Sequence, residues 1–166
     1  MKKIIFSLLL IIPSFFSESI NAQEYKTAIG LRFAWDYGIT FKHFIKENTA
    51  IEIIGSTRSF GIAGFSNYRY TRITGLYQIH KPIESVEGLK WYYGGGLTAA
   101  FYSGDYFDTI KDSKTALGLS GVLGLDYKFK DTPINVSLDW MPTFFITGFG
   151  NGFGGQAGGL AVRYTF

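Results

Sequence analysis

The stretch from Ala116 to Phe129, ALGLSGVLGLDYKF, decides the architecture. Leu117, Leu119, Leu123, Leu125, Tyr127 and Phe129 share one parity, with Gly121 the only gap. Ala116, Gly118, Ser120, Val122, Gly124, Asp126 and Lys128 occupy the other. A strand turns successive side chains to opposite faces, so this run has one bulky apolar face and one small or polar face. The pattern returns where Ile134, Val136, Leu138 and Trp140 alternate with Asn135, Ser137, Asp139 and Met141. It returns again where Leu160, Val162, Tyr164 and Phe166 alternate with Gly159, Ala161, Arg163 and Thr165. Near the start, Ile29, Leu31, Phe33 and Trp35 alternate with Ala28, Gly30, Arg32 and Ala34.

Four more segments follow the rule less tightly: Gly38–Ile45, Ala50–Arg58, Tyr68–His80 and Trp91–Tyr102. In Ala50–Arg58, Ile54 breaks the alternation set by Ile51, Glu52 and Ile53. The sum is eight strands, each near enough in sequence to its neighbour to pair antiparallel, and no stretch after residue 22 offers a long amphipathic helix. Lys46–Thr49, Lys81–Lys90 and Lys130–Pro133 carry the charges, Asn and Pro of turns. On the opposite side fall Asp36-Tyr37, Ser59–Asn67, Ser103–Thr115 and Pro142–Ala157, three of them long and rich in Gly or aromatics.

Alternation alone does not say which face looks inward. A soluble lipocalin-type barrel would wrap its apolar face around a ligand; a membrane barrel turns that face to lipid. Three features favour the membrane. The small-or-polar face combines many Gly and Ala with Arg32, Glu52, Asp126, Asp139 and Arg163, which suits a narrow lumen in which charges of both signs pair. Aromatics gather at strand ends (Trp35, Trp91, Tyr92, Trp140, then Tyr127, Phe129, Tyr164 and Phe166), as the girdles at headgroup level do. Short charged turns on one side and longer loops on the other match the asymmetry of outer-membrane barrels.

Composition agrees. The 166 residues include 18% aromatics, 21 Gly and no Cys, which excludes a disulfide scaffold, a thiol nucleophile and a Cys-bound metal. Met1–Ala22 has the form of a cleaved export signal: Lys2 and Lys3, the apolar run Ile4–Ile12, Pro13, then a polar stretch ending in Ala22. That run is far short of the roughly 20 residues a spanning helix needs. Two domains of the precursor are therefore expected, a signal at 1–22 and a barrel at 23–166. An exported chain without a spanning helix can cross lipid only as a closed sheet. Formal net charge is +3, and removal of the signal leaves 14 basic and 12 acidic side chains. A balance so even gives no basic stripe for nucleic acid.

With these strands in view, the chain resembles the OmpA/OmpX-like superfamily of small eight-stranded outer-membrane barrels. The likeness rests on the signal, the alternating strands, Trp91-Tyr92-Tyr93-Gly94-Gly95-Gly96, Asp139-Trp140-Met141-Pro142, and the terminal Arg163-Tyr164-Thr165-Phe166. It covers Glu24–Phe166. The resemblance implies a Gram-negative outer-membrane location, contact with outer-membrane lipid, and a C-terminal signal in Tyr164 and Phe166 for the barrel-assembly machinery.

Candidate sites follow from the faces. Arg32, Glu52, Asp126, Asp139 and Arg163 are expected to form a lumenal ion-pair network that plugs the barrel, with Asp139 beside Arg163 on sequential strands, the first strand with Arg32 brought next to the last by closure, and Glu52 two strands further round. His43 and His80 fall near short-turn ends, the wrong rim for attack on outer-leaflet lipid, and are expected as interfacial or turn residues. Possible recognition belongs to loop aromatics: Tyr106 and Phe107, then Phe145, Phe149 and Phe153 among glycines. Asp105, Asp108 and Asp112 lack the spacing of a calcium loop. Gly152-Phe153-Gly154 is a partial dinucleotide fingerprint without a following helix. The sequence thus implies an all-β, up-and-down, eight-stranded antiparallel transmembrane barrel with both termini periplasmic, monomeric, with no catalytic residue, metal or cofactor. Its expected role is non-enzymatic, in envelope structure or in adhesion through the loops to an unidentified extracellular ligand. A narrow passive channel and a soluble periplasmic lipid-binding barrel are the alternatives.

Overall fold

The computed structural model describes residues 25–62, 65–104, 114–148, 152–154 and 158–166; of 60–62 and 65–68 it describes the backbone alone. The region expected as an export signal lies outside them. Ten strands follow in chain order: β1 Thr27–Phe33, β2 Tyr37–Lys46, β3 Thr49–Ile62, β4 Phe65–Pro82, β5 Leu89–Gly104, β6 Thr115–Lys128, β7 Ile134–Trp140, β8 Thr143–Thr147, β9 Gly152–Gly154 and β10 Gly159–Thr165.

They build eight staves. Each of β1 to β6 pairs antiparallel with the next, and β7 pairs with β6 from Leu123↔Trp140 to Lys128↔Asn135. β8 continues the seventh stave in the same register, Ser120↔Thr143, across Met141-Pro142. Proline has no N–H to give the ladder, yet its carbonyl still accepts from the Gly121 N–H at 2.9 Å, so the stave is continuous in space. β9 lies on β8, and β10 pairs with β7 on one side and β1 on the other, Arg32↔Ala161. The sheet closes, and the closed ring satisfies its own backbone groups.

Two expected loops are shorter than their composition suggested. β3 runs on to Ile62 and β4 begins at Phe65, so most of Ser59–Asn67 is hairpin rather than loop. Likewise Pro142–Ala157 contains β8 and β9. In both places Gly and polar residues mask a backbone that continues to pair with its neighbour. Within Ser103–Thr115, residues 105–113 lie outside the described set.

The faces follow parity. Leu117, Leu119, Leu123 and Leu125 on β6 are each about half exposed, as are Ile29, Leu31 and Phe33 on β1, Ile51 and Ile53 on β3, and Leu160, Val162 and Tyr164 on β10. The bulky apolar side chains thus cover the outer wall on every side. The opposite parity is buried: Arg32, Thr40, Lys42, Glu52, Ile54, Arg72, Gln78, Tyr92, Ser120, Asp126, Asp139 and Arg163. Ile54, the residue that broke the alternation, is one of these; it joins Leu76, Tyr92, Val122 and Met141 in an apolar cluster across the lumen. An eight-stranded ring curves tightly, and neighbouring backbone crowds some inward positions. A Cβ at Gly96 would lie 1.8 Å from the Gly75 carbonyl oxygen, so only glycine fits there.

Candidate functional site

The lumen holds the chemistry. Toward the end that carries Tyr25 and Phe166, Glu52 on β3 stands at the centre of a cluster. Arg163 on β10 donates to Glu52 Oε1 in a short ion pair, Thr40 donates to the same oxygen at 2.5 Å, and Gln78 donates to Oε2 at 2.6 Å. Lys42 bridges the two carboxylates, 3.7 Å from Glu52 and 3.1 Å from Asp126. Asp126 also accepts from Asn135 at 2.9 Å and from the Tyr25 hydroxyl at 3.0 Å. Arg163 also donates through Nη1 to Asn135 at 3.1 Å and Ser137 at 2.7 Å, and through Nε to Thr40 at 3.3 Å. Buried charges are tolerable only when paired and hydrogen-bonded in this way.

A second pair lies further along the lumen. Arg32 donates through both terminal nitrogens to Asp139, at 2.7 and 2.5 Å, and the Tyr92 hydroxyl donates to the same carboxylate at 2.7 Å. A belt of hydroxyls crosses the next level, Thr74 to Thr98 at 2.9 Å, Thr98 to Ser120 at 2.6 Å and Ser120 to Thr143 at 2.8 Å. Near the opposite rim, Asp36 in the β1–β2 turn meets Arg72 at 2.8 Å and accepts from Ser56 at 2.8 Å. Among the described residues, four buried cations (Arg32, Lys42, Arg72 and Arg163) thus face four buried carboxylates (Asp36, Glu52, Asp126 and Asp139), and the interior is neutral.

All five lumenal candidates lie inside the barrel, but their partners differ from the expected ones. Asp139 is not beside Arg163. The β7–β10 register sets Asp139 opposite Gly159 and Arg163 opposite Asn135, four residues along. Arg32 instead reaches over Gly159 to Asp139, because a glycine there has no side chain in the way. Lys42, Asp36 and Arg72 were not anticipated. The signal was their parity: Lys42 lies between Thr40 and Phe44, and Arg72 shares a face with Thr74, Leu76 and Gln78.

His80 is also corrected. It is neither interfacial nor in a turn but buried, stacked on Tyr92 with ring centroids 4.8 Å apart and against Phe44 at 4.8 Å. His43 lies within β2, its ring nitrogen 2.9 Å from the Thr27 hydroxyl. Of the loop aromatics, Phe145 points inward, 4% exposed, among Tyr70, Ala100 and Ala116; it occupies the inward parity of β8 and offers no outer surface. Phe153 is 67% exposed on β9. Tyr106, Phe107 and Phe149 lie outside the described residues. Tyr164 and Phe166 sit on one parity of the last stave with rings 5.7 Å apart, and the Phe166 backbone exchanges hydrogen bonds with Thr27 at 2.9 and 3.0 Å.

The chain is a closed eight-stave antiparallel β-barrel with an apolar outer wall and a neutral polar interior, a fold that solved outer-membrane barrels share. Solved structures agree. The chain is similar to neisserial surface protein A, with 14% identity over 84% of this chain and 93% of that one, TM-score 0.59. It is similar to the outer membrane protein OprG from Pseudomonas aeruginosa, with 12% identity over 89% and 99%, TM-score 0.55. It is also similar to Ail, the attachment invasion locus protein of Yersinia pestis, solved with the heparin analogue sucrose octasulfate, with 10% identity over 84% and 96%, TM-score 0.54. No family model matches the chain, and no curated protein matches it in sequence.

Proposed function

We propose that this protein is an integral outer-membrane barrel without enzymatic activity, exported by a signal at residues 1–22 that is cleaved to leave a barrel of 23–166. Its termini face the periplasm and its longer connections face outward. The observation that carries the reading is the pairing of an apolar outer wall on all eight staves with a lumen whose charges neutralise one another. In water such a wall would be an aggregation surface far larger than a soluble monomer exposes; against acyl chains it is the stable arrangement.

The barrel supports the envelope, or binds an extracellular partner through its loops. Loop binding draws support from the exposed Phe153 and from Ail, a barrel of the same fold whose structure holds a heparin analogue. The channel reading is weaker, because side chains from five adjoining staves meet across the lumen at Ile54, Leu76, Tyr92, Val122 and Met141. Tyr164 and Phe166, outward on the closing stave, supply the features that assembly machinery would read. Cell fractionation tests the whole reading. Carbonate-resistant pelleting with heat-modifiable gel migration is expected; release in osmotic shock fluid would overturn it.

A further inference from the structure

We propose that Lys81, with Trp91 and Tyr93, forms a binding site for the phosphate of an anionic lipid headgroup, on the outer wall at the rim that carries Tyr25 and Phe166. The inference rests on the membrane reading above. Lys81 lies on the outward parity of β4, one pleat beyond Ile79, and the register sets it directly opposite Trp91 on β5. Tyr93 lies one pleat nearer the middle of the wall. The two rings stack with centroids 5.3 Å apart and planes 26° apart. Over them stands the Lys81 ammonium, 5.6 Å from the indole and 5.9 Å from the phenol ring.

Three physical points make this a site rather than a surface lysine. The ring faces hold the ammonium on one side by cation–π attraction, which fixes a side chain that would otherwise sample many rotamers. Its other side stays exposed, and among the described residues no carboxylate pairs with it. Lys130 on the next turn differs, since it is engaged by Glu87 at 3.5 Å. The depth is also right. Trp and Tyr settle at the boundary between hydrocarbon and headgroups, and a lysine level with Trp91, one pleat beyond the last outward apolar residue of β4, reaches toward the lipid phosphates. A phosphate there takes N–H bonds from an ammonium already placed.

The test uses the purified full barrel in mild detergent, mixed with equimolar phosphatidylglycerol and phosphatidylcholine and read by native mass spectrometry. The wild type should retain phosphatidylglycerol preferentially. Lys81→Gln should lower that preference by about fivefold, the factor that one cation near an anionic surface carries. Trp91→Leu should lower it in part, Lys81→Arg should keep it, and Lys130→Gln should leave it unchanged. Heat-modifiable migration verifies that each variant is folded. Equal preference in wild type and Lys81→Gln, or an equal loss in Lys130→Gln, would overturn the site while leaving the membrane reading intact. A chain that is folded and monomeric without detergent would overturn the membrane reading itself.

Discussion

Arg32 and Asp139 come from staves that are not neighbours, and they meet over Gly159 of the intervening stave, whose missing side chain leaves them room. A Cβ added at Gly159 would lie 2.4 Å from an Arg32 terminal nitrogen that is already bonded to Asp139. Gly159→Ala must therefore displace a guanidinium held by two hydrogen bonds. The expected cost is about 1–3 kcal/mol, the range for overfilled interiors. The urea midpoint for unfolding from lipid vesicles checks it. An unchanged midpoint would mean that the Arg32–Asp139 contact is not formed.

The same pair separates what a buried ion pair costs from what it contributes. Asp139→Ala strands Arg32 and the Tyr92 hydroxyl, so a loss of about 3–5 kcal/mol is expected. Replacing all three polar partners together, Arg32→Met with Asp139→Leu and Tyr92→Phe, removes every stranded group. That triple variant should recover most of the loss, since apolar replacements of such networks are near neutral. Reversible unfolding in vesicles measures both; a triple variant as unstable as Asp139→Ala would show that the pair contributes net stability.

The staves were legible because a period of two leaves its mark on every residue, and β1, β6, β7 and β10 carry it almost without exception. The pairing of charges was not. Knowing that Asp139 and Arg163 share adjacent staves does not fix the register, and a shift of four residues exchanged the partner of each. Lys42, Arg72 and His80 escaped for another reason. Their segments alternate loosely: His80, near a strand end, reads as a turn or interface residue although its parity matches inward Gln78, and nothing but parity with inward Thr40 and Thr74 marks Lys42 and Arg72. Phe145 shows the same lesson in reverse: glycines after it suggested a loop, while its parity with Met141 and Thr143 pointed inside.

The two faces of β6 can be tested one residue apart. Leu119 is half exposed on the outer wall; Ser120 is buried between Thr98 and Thr143. Leu119→Arg should cost about 2–4 kcal/mol, the depth-dependent penalty for a cation facing lipid, and Leu138→Arg on β7 should behave alike. Ser120→Arg should fail by overfilling the lumen, so it should not recover in thinner bilayers, where the Leu119→Arg penalty shrinks. A lipid-phase photolabel on single-cysteine variants should mark position 119 and spare 120. Labelling at 120 instead would reverse the assignment of inside and outside.

Whether the lumen conducts depends on how completely its own side chains fill it. A solute entering from the rim opposite Tyr25 and Phe166 would meet Tyr70 packed with Phe145, and Asp36 locked to Arg72, then the hydroxyl belt from Thr74 to Thr143, then the apolar cluster around Ile54 and Met141. Beyond these stands Lys42 between Glu52 and Asp126. Hydrogen bonds or side-chain contacts cross each level, and an interior of eight strands is only wide enough for side chains to fill. Purified barrel in planar bilayers should therefore give a closed baseline at moderate voltage, with openings rare and short. Stable openings from most of the reconstituted protein would require the Lys42 cluster and the apolar layer to separate together, and would replace the plug with a gate.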